Sequence, residues 1–311
     1  MLSVLNVLLP IFGLILVGFI CRRTNRLGPT AASEINRMVV WLCLPALLFK
    51  ATATASLEQL WHPGFVIAFT ASTLIVFAGM LAWRWRARGH LADASIDALS
   101  ASYANTGYIG LPLCIMVLGQ ASLEPALIAT LLVVCVLFAL SLVLIEIGLQ
   151  SERRVHRILF KVLFALIKNP MVFSPILGAL WAWGGVGIPG PAAKFLDLLG
   201  AATTPCALVS LGLFLGQKQV GTRQGVGLLV PMKLIAHPLL TAFLVFKVFH
   251  LPPLWANTAL LLSALPTGTG PFMLAEYYKR EASVVSSTIL VSTLVSLGTL
   301  SVLLVWMNSQ A

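Results

Sequence analysis

The sequence predicts an all-α integral membrane protein of about ten transmembrane helices, arranged as two five-helix repeats of opposite orientation. Three observations predict it: a lipid-like composition, a one-sided distribution of basic residues, and a weak internal repeat. Of the 311 residues, 59% are hydrophobic and only 10% charged, against about 25% charged in an ordinary soluble domain. Folded in water, such a chain would carry more apolar surface than one core could cover. A soluble enzyme, a disordered tail and a nucleic-acid binder are excluded.

Apolar runs bounded by charges or Gly/Pro clusters fall at roughly 4–21, 36–56, 64–83, 94–119, 123–148, 168–187, 195–216, 225–249, 255–278 and 283–307. They are too long for strands and lack strict alternation, which favours a helical bundle over a β-barrel. The first run lacks a basic start and a small-residue cleavage site, and Arg22 and Arg23 follow it; it reads as a retained span, not a signal peptide. Basic residues follow every odd-numbered span: Arg22, Arg23, Arg26 and Arg37; Arg84, Arg86 and Arg88; Arg153, Arg154, Arg157, Lys161 and Lys168; Lys218 and Arg223; Lys279 and Arg280. The opposite side holds Lys50, Lys194 and Lys247, and Lys233 falls inside span eight. The basic side is the cytoplasmic one, so both termini are expected on the periplasmic or outer face of a bacterial inner membrane. The net charge of +10 is therefore a topology signal. Cys21, Cys43, Cys114, Cys135 and Cys206 have no metal-ligand spacing and read as small buried hydrophobes. Trp41, Trp61, Trp83, Trp85, Trp181, Trp183, Trp255 and Trp306 lie largely near span ends, as an interfacial belt does.

The repeat is carried by three matches in one order. Pro10-Ile11-Phe12-Gly13 in span one answers to Pro175-Ile176-Leu177-Gly178 in span six. Pro45-Ala46-Leu47 in span two answers to Pro205-Cys206-Ala207-Leu208 in span seven. Asn105-Thr106-Gly107 in span four answers to Pro266-Thr267-Gly268 in span nine. All three pairs share an offset of roughly 160 residues, and an odd-numbered unit repeated once inserts upside down, as in secondary transporters. The expected organisation is a first repeat over 1–148, a basic cytoplasmic linker over 149–168 and an inverted repeat over 169–311.

Spans four and nine carry the chemistry. Each places glycines and prolines at mid-helix: Gly107, Gly110 and Pro112 in one, Pro266, Gly268, Gly270 and Pro271 in the other, with Asn105, Thr106, Thr267 and Thr269 alongside. Proline removes a backbone donor and glycine tolerates the resulting dihedrals, so two broken helices are expected, with Pro112, Pro266 and Pro271 defining the breaks. Unsatisfied backbone at membrane depth is tolerated only beside protein or an aqueous cavity. A half-helix N-terminus favours an anion and a C-terminus a cation. Paired breaks meeting near the midplane would form a substrate site from Asn105, Thr106, Gly107, Pro112, Pro266, Thr267, Gly268, Thr269 and Pro271. The alternative is two Pro-kinked helices packed closely through glycine.

Lys233 and His237 lie at i and i+4 inside span eight. They are read as a counter-charge for an anionic substrate or a proton-coupling pair, against a snorkelling lysine and a packed histidine. Glu276, with Lys279 and Arg280 nearby, reads as a surface pair, and Glu146 reads likewise. Asp93, Asp97 and Asp197 are placed at or beside loops. No HExxH, CxxC or P-loop lysine motif occurs, so no cofactor, metal or enzymatic chemistry is expected and transport would be driven by gradients.

The run Asn105-Thr106-Gly107 through Gly110-Leu111-Pro112-Leu113 resembles the auxin efflux carrier family. Leu44-Pro45-Ala46-Leu47-Leu48-Phe49, Asn169-Pro170 and the 265–278 segment resemble it too, so the likeness covers essentially the whole chain. The long central loop of the plant members is missing, which makes the chain similar to a bacterial member. The resemblance implies ten helices, crossing breaks in spans four and nine, and an elevator mechanism. Spans one, two, six and seven would be scaffold and homodimer face; the substrate would be an organic anion such as malonate, malate or an auxin-like acid. The bile-acid/sodium symporters are more distantly similar. Their sodium site uses an acidic residue and a glutamine in the second crossover, where this chain has Pro266, Thr267, Gly268 and Thr269, which argues against sodium coupling. The alternative functions are an anion channel or a membrane sensor on the same fold, or a sodium-coupled symporter of the related bile-acid family.

Overall fold

A computed structural model of the chain describes residues 2–54, 62–149, 160, 164, 170–217 and 225–310. The linker expected at 149–168 lies almost wholly outside the described residues, as do Asn169, Lys218, Arg223 and Trp61. Twelve helices are described, with no strand beyond one bridge: α1 (Leu2–Arg23), α2 (Ala31–Thr54), α3 (Pro63–Arg88), α4 (Leu91–Ser102), α5 (Thr106–Leu118), α6 (Gln120–Gly148), α7 (Pro170–Trp183), α8 (Gly190–Leu215), α9 (Val226–Val248), α10 (Pro253–Ser263), α11 (Gly270–Tyr277) and α12 (Ser283–Gln310). Among the described residues α2, α3, α6, α8, α9 and α12 are long and apolar enough to cross a membrane. The pairs α4/α5 and α10/α11 are the halves of two broken helices, the predicted spans four and nine.

Local chemistry sets the ends. Pro63 opens α3 where a missing N–H costs nothing, and His62 Nδ1 accepts from the Phe65 N–H at 3.3 Å. Gly89, at φ +71°, closes it by donating to the Trp85 carbonyl. Proline also acts inside the helices. The π-helical turns Val39–Cys43, Thr106–Gly110 and Met232–Ala236 each end two residues before a proline, at Pro45, Pro112 and Pro238. Proline has no N–H and its ring presses on the carbonyl one turn back, and widening that turn relieves both. Pro112 therefore widens the first turn of α5 and does not make the break, which is at Tyr103–Asn105.

The helices pack as two groups. In one, α1 runs along α8, α2 along α7, and α8 also meets α2; these are predicted spans one, two, six and seven. A Cβ on Gly18 would collide with the Val209 carbonyl, and one on Gly212 with the Ile15 carbonyl, so α1 and α8 approach backbone to backbone. Gly178 of α7 meets Thr52 and Phe49 of α2 in the same way. Small residues give close approach and van der Waals contact where no hydrophobic effect separates helix from lipid. In the other group α3 lies against α4, α4 against α6, and α9 against α3, α10 and α12.

Four charged residues differ from the sequence reading. Arg84 and Asp97 were expected in or beside a loop; they lie within α3 and α4 as a buried ion pair, with Nε at 2.6 Å and Nη2 at 2.5 Å from Asp97 Oδ2. Gly225, at φ +98°, makes room for the guanidinium. Glu146 is not a surface residue: it is buried and accepts from Tyr278 Oη at 2.6 Å. Arg280 pairs with Asp93 through two contacts of 2.8 and 2.5 Å, not with Glu276. Hydrogen bonding to Asp93 pushes the Arg280 pKa up from its ordinary value. Hydropathy locates apolar runs but is blind to a charge neutralised by a partner on another helix.

Candidate functional site

The two breaks lie side by side. Ala104 and Thr267 form an antiparallel bridge, in which Asn105 N–H donates to the Pro266 carbonyl at 3.0 Å and Gly268 N–H to the Tyr103 carbonyl at 3.0 Å. Backbone groups freed by one break are thus satisfied by the other, which membrane depth requires. Glycine is needed here, because a Cβ on Gly270 would stand 2.5 Å from the Tyr103 ring.

The four half-helix ends are treated unequally. At the C-terminus of α4, Thr267 Oγ1 donates to the Ser100 carbonyl at 2.8 Å. At that of α10, Lys233 Nζ donates to the Ser263 carbonyl at 2.6 Å. Both negative dipole ends are thereby compensated by protein. The N-termini of α5 and α11 instead border a cavity of about 360 Å³, lined by Asn105, Thr106 and Gly107 from one and Thr269 and Gly270 from the other. Tyr103, Tyr108, Val134 and Phe138 form part of its wall, and Val40, Trp41 and Pro170 of the other helix group close it. Among the described residues none that lines it has a charged side chain.

Asn105 is both cap and lining. Its Oδ1 accepts from the Tyr108 N–H at 3.4 Å, which leaves Nδ2 as the free half of the amide. Asn105 is only 5% exposed, and its Nδ2 has no hydrogen-bond partner. A buried donor left unmade costs about 1–3 kcal/mol, and a ligand oxygen would recover that cost.

Of the other predicted site residues, Thr106, Gly107 and Thr269 join Asn105 at the cavity. Thr267 is fully buried and spent on the crossover, its N–H donating to Ser292 Oγ at 3.1 Å and its hydroxyl to Ser100. Pro266 supplies the bridging carbonyl, Gly268 packs under Tyr103, and Pro271 starts α11. Pro112, Lys233 and His237 do not line the cavity. His237 Nε2 is 3.2 Å from Thr73 Oγ1, and both it and Lys233 are fully buried.

The sequence reading passed over Tyr103, Tyr108 and Asn36. Tyr108 Oη donates to Asn36 Oδ1, the side-chain hydrogen bond that crosses between the two helix groups among the described residues. The tyrosines flank Asn105 and could have been read as amphipathic rings beside a polar break. Asn36 carries no such signal, since only packing brings it to Tyr108. Among the described residues no group of three His, Cys, Asp or Glu could hold a metal.

The chain matches the family described as membrane transport protein over residues 3–304. A protein provisionally named a malonate transporter in Rhizobium meliloti (strain 1021) is 28% identical over 313 residues, covering 100% of this chain and 98% of that one. Uncharacterized transporter YfdV of Escherichia coli (strain K12) is 24% identical over 295 residues, 92% of each chain. Auxin efflux carrier component 8 of Arabidopsis thaliana is 26% identical over 162 residues, 50% of this chain and 44% of that one. A match across nearly the whole length, on a chain of many apolar helices, makes this a multi-pass membrane transporter: it belongs to the membrane transport protein family, that of the auxin efflux carriers.

Proposed function

We propose that the protein is a secondary active transporter of a small organic anion, a dicarboxylate such as malonate or malate or an auxin-like acid. The observation that carries this reading is the unequal treatment of the half-helix ends. Two N-termini and Asn105, whose Nδ2 has no partner, line one cavity, while the opposing C-termini are covered by Thr267 and Lys233. N–H groups and positive dipole ends recognise carboxylate without a side-chain cation. The name of the Rhizobium relative agrees with that chemistry.

Movement follows from where the cavity sits. Its polar wall belongs to the group of α3–α6 and α9–α12, and Val40, Trp41 and Pro170 belong to α1, α2, α7 and α8. We read the first group as the mobile body of an elevator and the second as scaffold and homodimer face, within ten spans of two inverted repeats (1–148 and 169–311). Sliding would break the Tyr108–Asn36 bond and carry the site between faces. The membrane is a bacterial inner one, with both termini outside. Proton coupling belongs to the same reading.

Counterflow in proteoliposomes tests it. With an unlabelled acid inside and a trace of labelled acid outside, the labelled acid should accumulate transiently and saturably. Substrate-independent current would instead indicate a channel, and binding without flux a sensor.

A further inference from the structure

Lys233 is left unused by the proposed anion site, yet it is fully buried and bonded to a defined partner. We propose that Lys233 is a tethered cation: its ammonium fills the place, at the carbonyl end of a broken half-helix, that a mobile coupling ion occupies in ion-coupled carriers.

In carriers with discontinuous helices, half-helix C-termini and unwound carbonyls coordinate the coupling cation. Here α10 ends at Ser263, and the Ser263 carbonyl accepts from Lys233 Nζ at 2.6 Å. The last carbonyls of any helix lack intrahelical donors, and its C-terminus carries about half a negative charge. A neutral donor suffices for such an end in this protein. At the corresponding end of α4 the Ser100 carbonyl takes a bond from the Thr267 hydroxyl. A full positive charge at α10 therefore does something that capping alone does not require, and a bare ammonium buried in the membrane is costly to place. Its hydrogen-bond partner is a carbonyl rather than a carboxylate, which is the ligand type of a bound monovalent cation.

Position reinforces this. Lys233 sits on the widened turn Met232–Ala236 of α9, which packs against α4 and α12, so its charge reaches the crossover from a helix that contributes no residue to the cavity lining. Since α9 and α10 belong to one helix group, the ammonium travels with the break and cannot dissociate. The carrier therefore needs no sodium, and removing the side chain should open a site for a small cation. This inference rests on the carrier reading, but its main readout does not use substrate.

The test is thermal unfolding of purified full-length wild type, Lys233→Ala and Lys233→Met in chlorides of sodium, ethylammonium and N-methylglucamine. Wild type should unfold at one temperature in all three. Lys233→Ala should unfold several degrees lower in N-methylglucamine and recover with sodium or ethylammonium. Lys233→Met, which refills the volume without charge, should stay low in all three. The proposal is overturned if Lys233→Met matches wild type, if Lys233→Ala ignores the cation, or if Lys233→Ala fails to accumulate even when made with ethylammonium. Wild type stabilised by sodium alone would overturn it too. Absence of counterflow with an intact cation response would count against the anion reading and leave this one standing.

Discussion

Asn105→Ala is expected to lower counterflow by roughly ten- to a hundredfold, the worth of one hydrogen bond to a charged group. Asn105 lines the cavity and its Nδ2 has no hydrogen-bond partner, so wild type spends nothing internal on that donor. The only internal bond lost is the 3.4 Å cap to the Tyr108 N–H. Folding should therefore change much less than transport, because the Asn105 N–H and carbonyl still bond Pro266, Ile109 and Gly110 through the backbone. Expression and unfolding temperature measured beside counterflow separate the two. Equal loss of both would make Asn105 a structural cap.

The second large effect is on stability. Arg84→Ala or Asp97→Ala breaks a buried ion pair by removing one of its members, at a cost of about 3–5 kcal/mol. Both side chains are almost wholly covered, so little solvent relieves the survivor. Arg84→Met combined with Asp97→Leu should recover most of the lost stability, because it removes both charges and keeps the volume. Thermal unfolding of the three variants checks this. Two single losses that simply add in the double variant would show that the residues act independently.

What the sequence disclosed follows from which physics leaves a mark on residue type. The breaks were legible because Gly and Pro at mid-span have few other uses, and Asn105 was legible as a polar residue beside one. The location of the first break was off by several residues. Pro112 acts on the turn before it, and the chain opens at Tyr103–Asn105 instead. Lys233 stood out, but its partner did not, since a backbone carbonyl has no residue signature. The pairs Arg84–Asp97 and Tyr278–Glu146 were illegible for a different reason: each joins two helices, and a hydropathy profile reads one helix at a time. The Asn36–Tyr108 bond depends on how one helix group docks on the other, which no local pattern encodes.

Everything proposed for transport depends on paired half-helix N-termini holding a carboxylate. Its most direct test is binding of a matched series to purified protein: malonate, its mono-amide and its neutral diamide, read as the rise in unfolding temperature. Unfolding temperature should rise saturably with malonate, less with the mono-amide and not at all with the diamide, and each rise should shrink in Asn105→Ala. A rise with the neutral diamide equal to that with malonate, or one unchanged in Asn105→Ala, would contradict it.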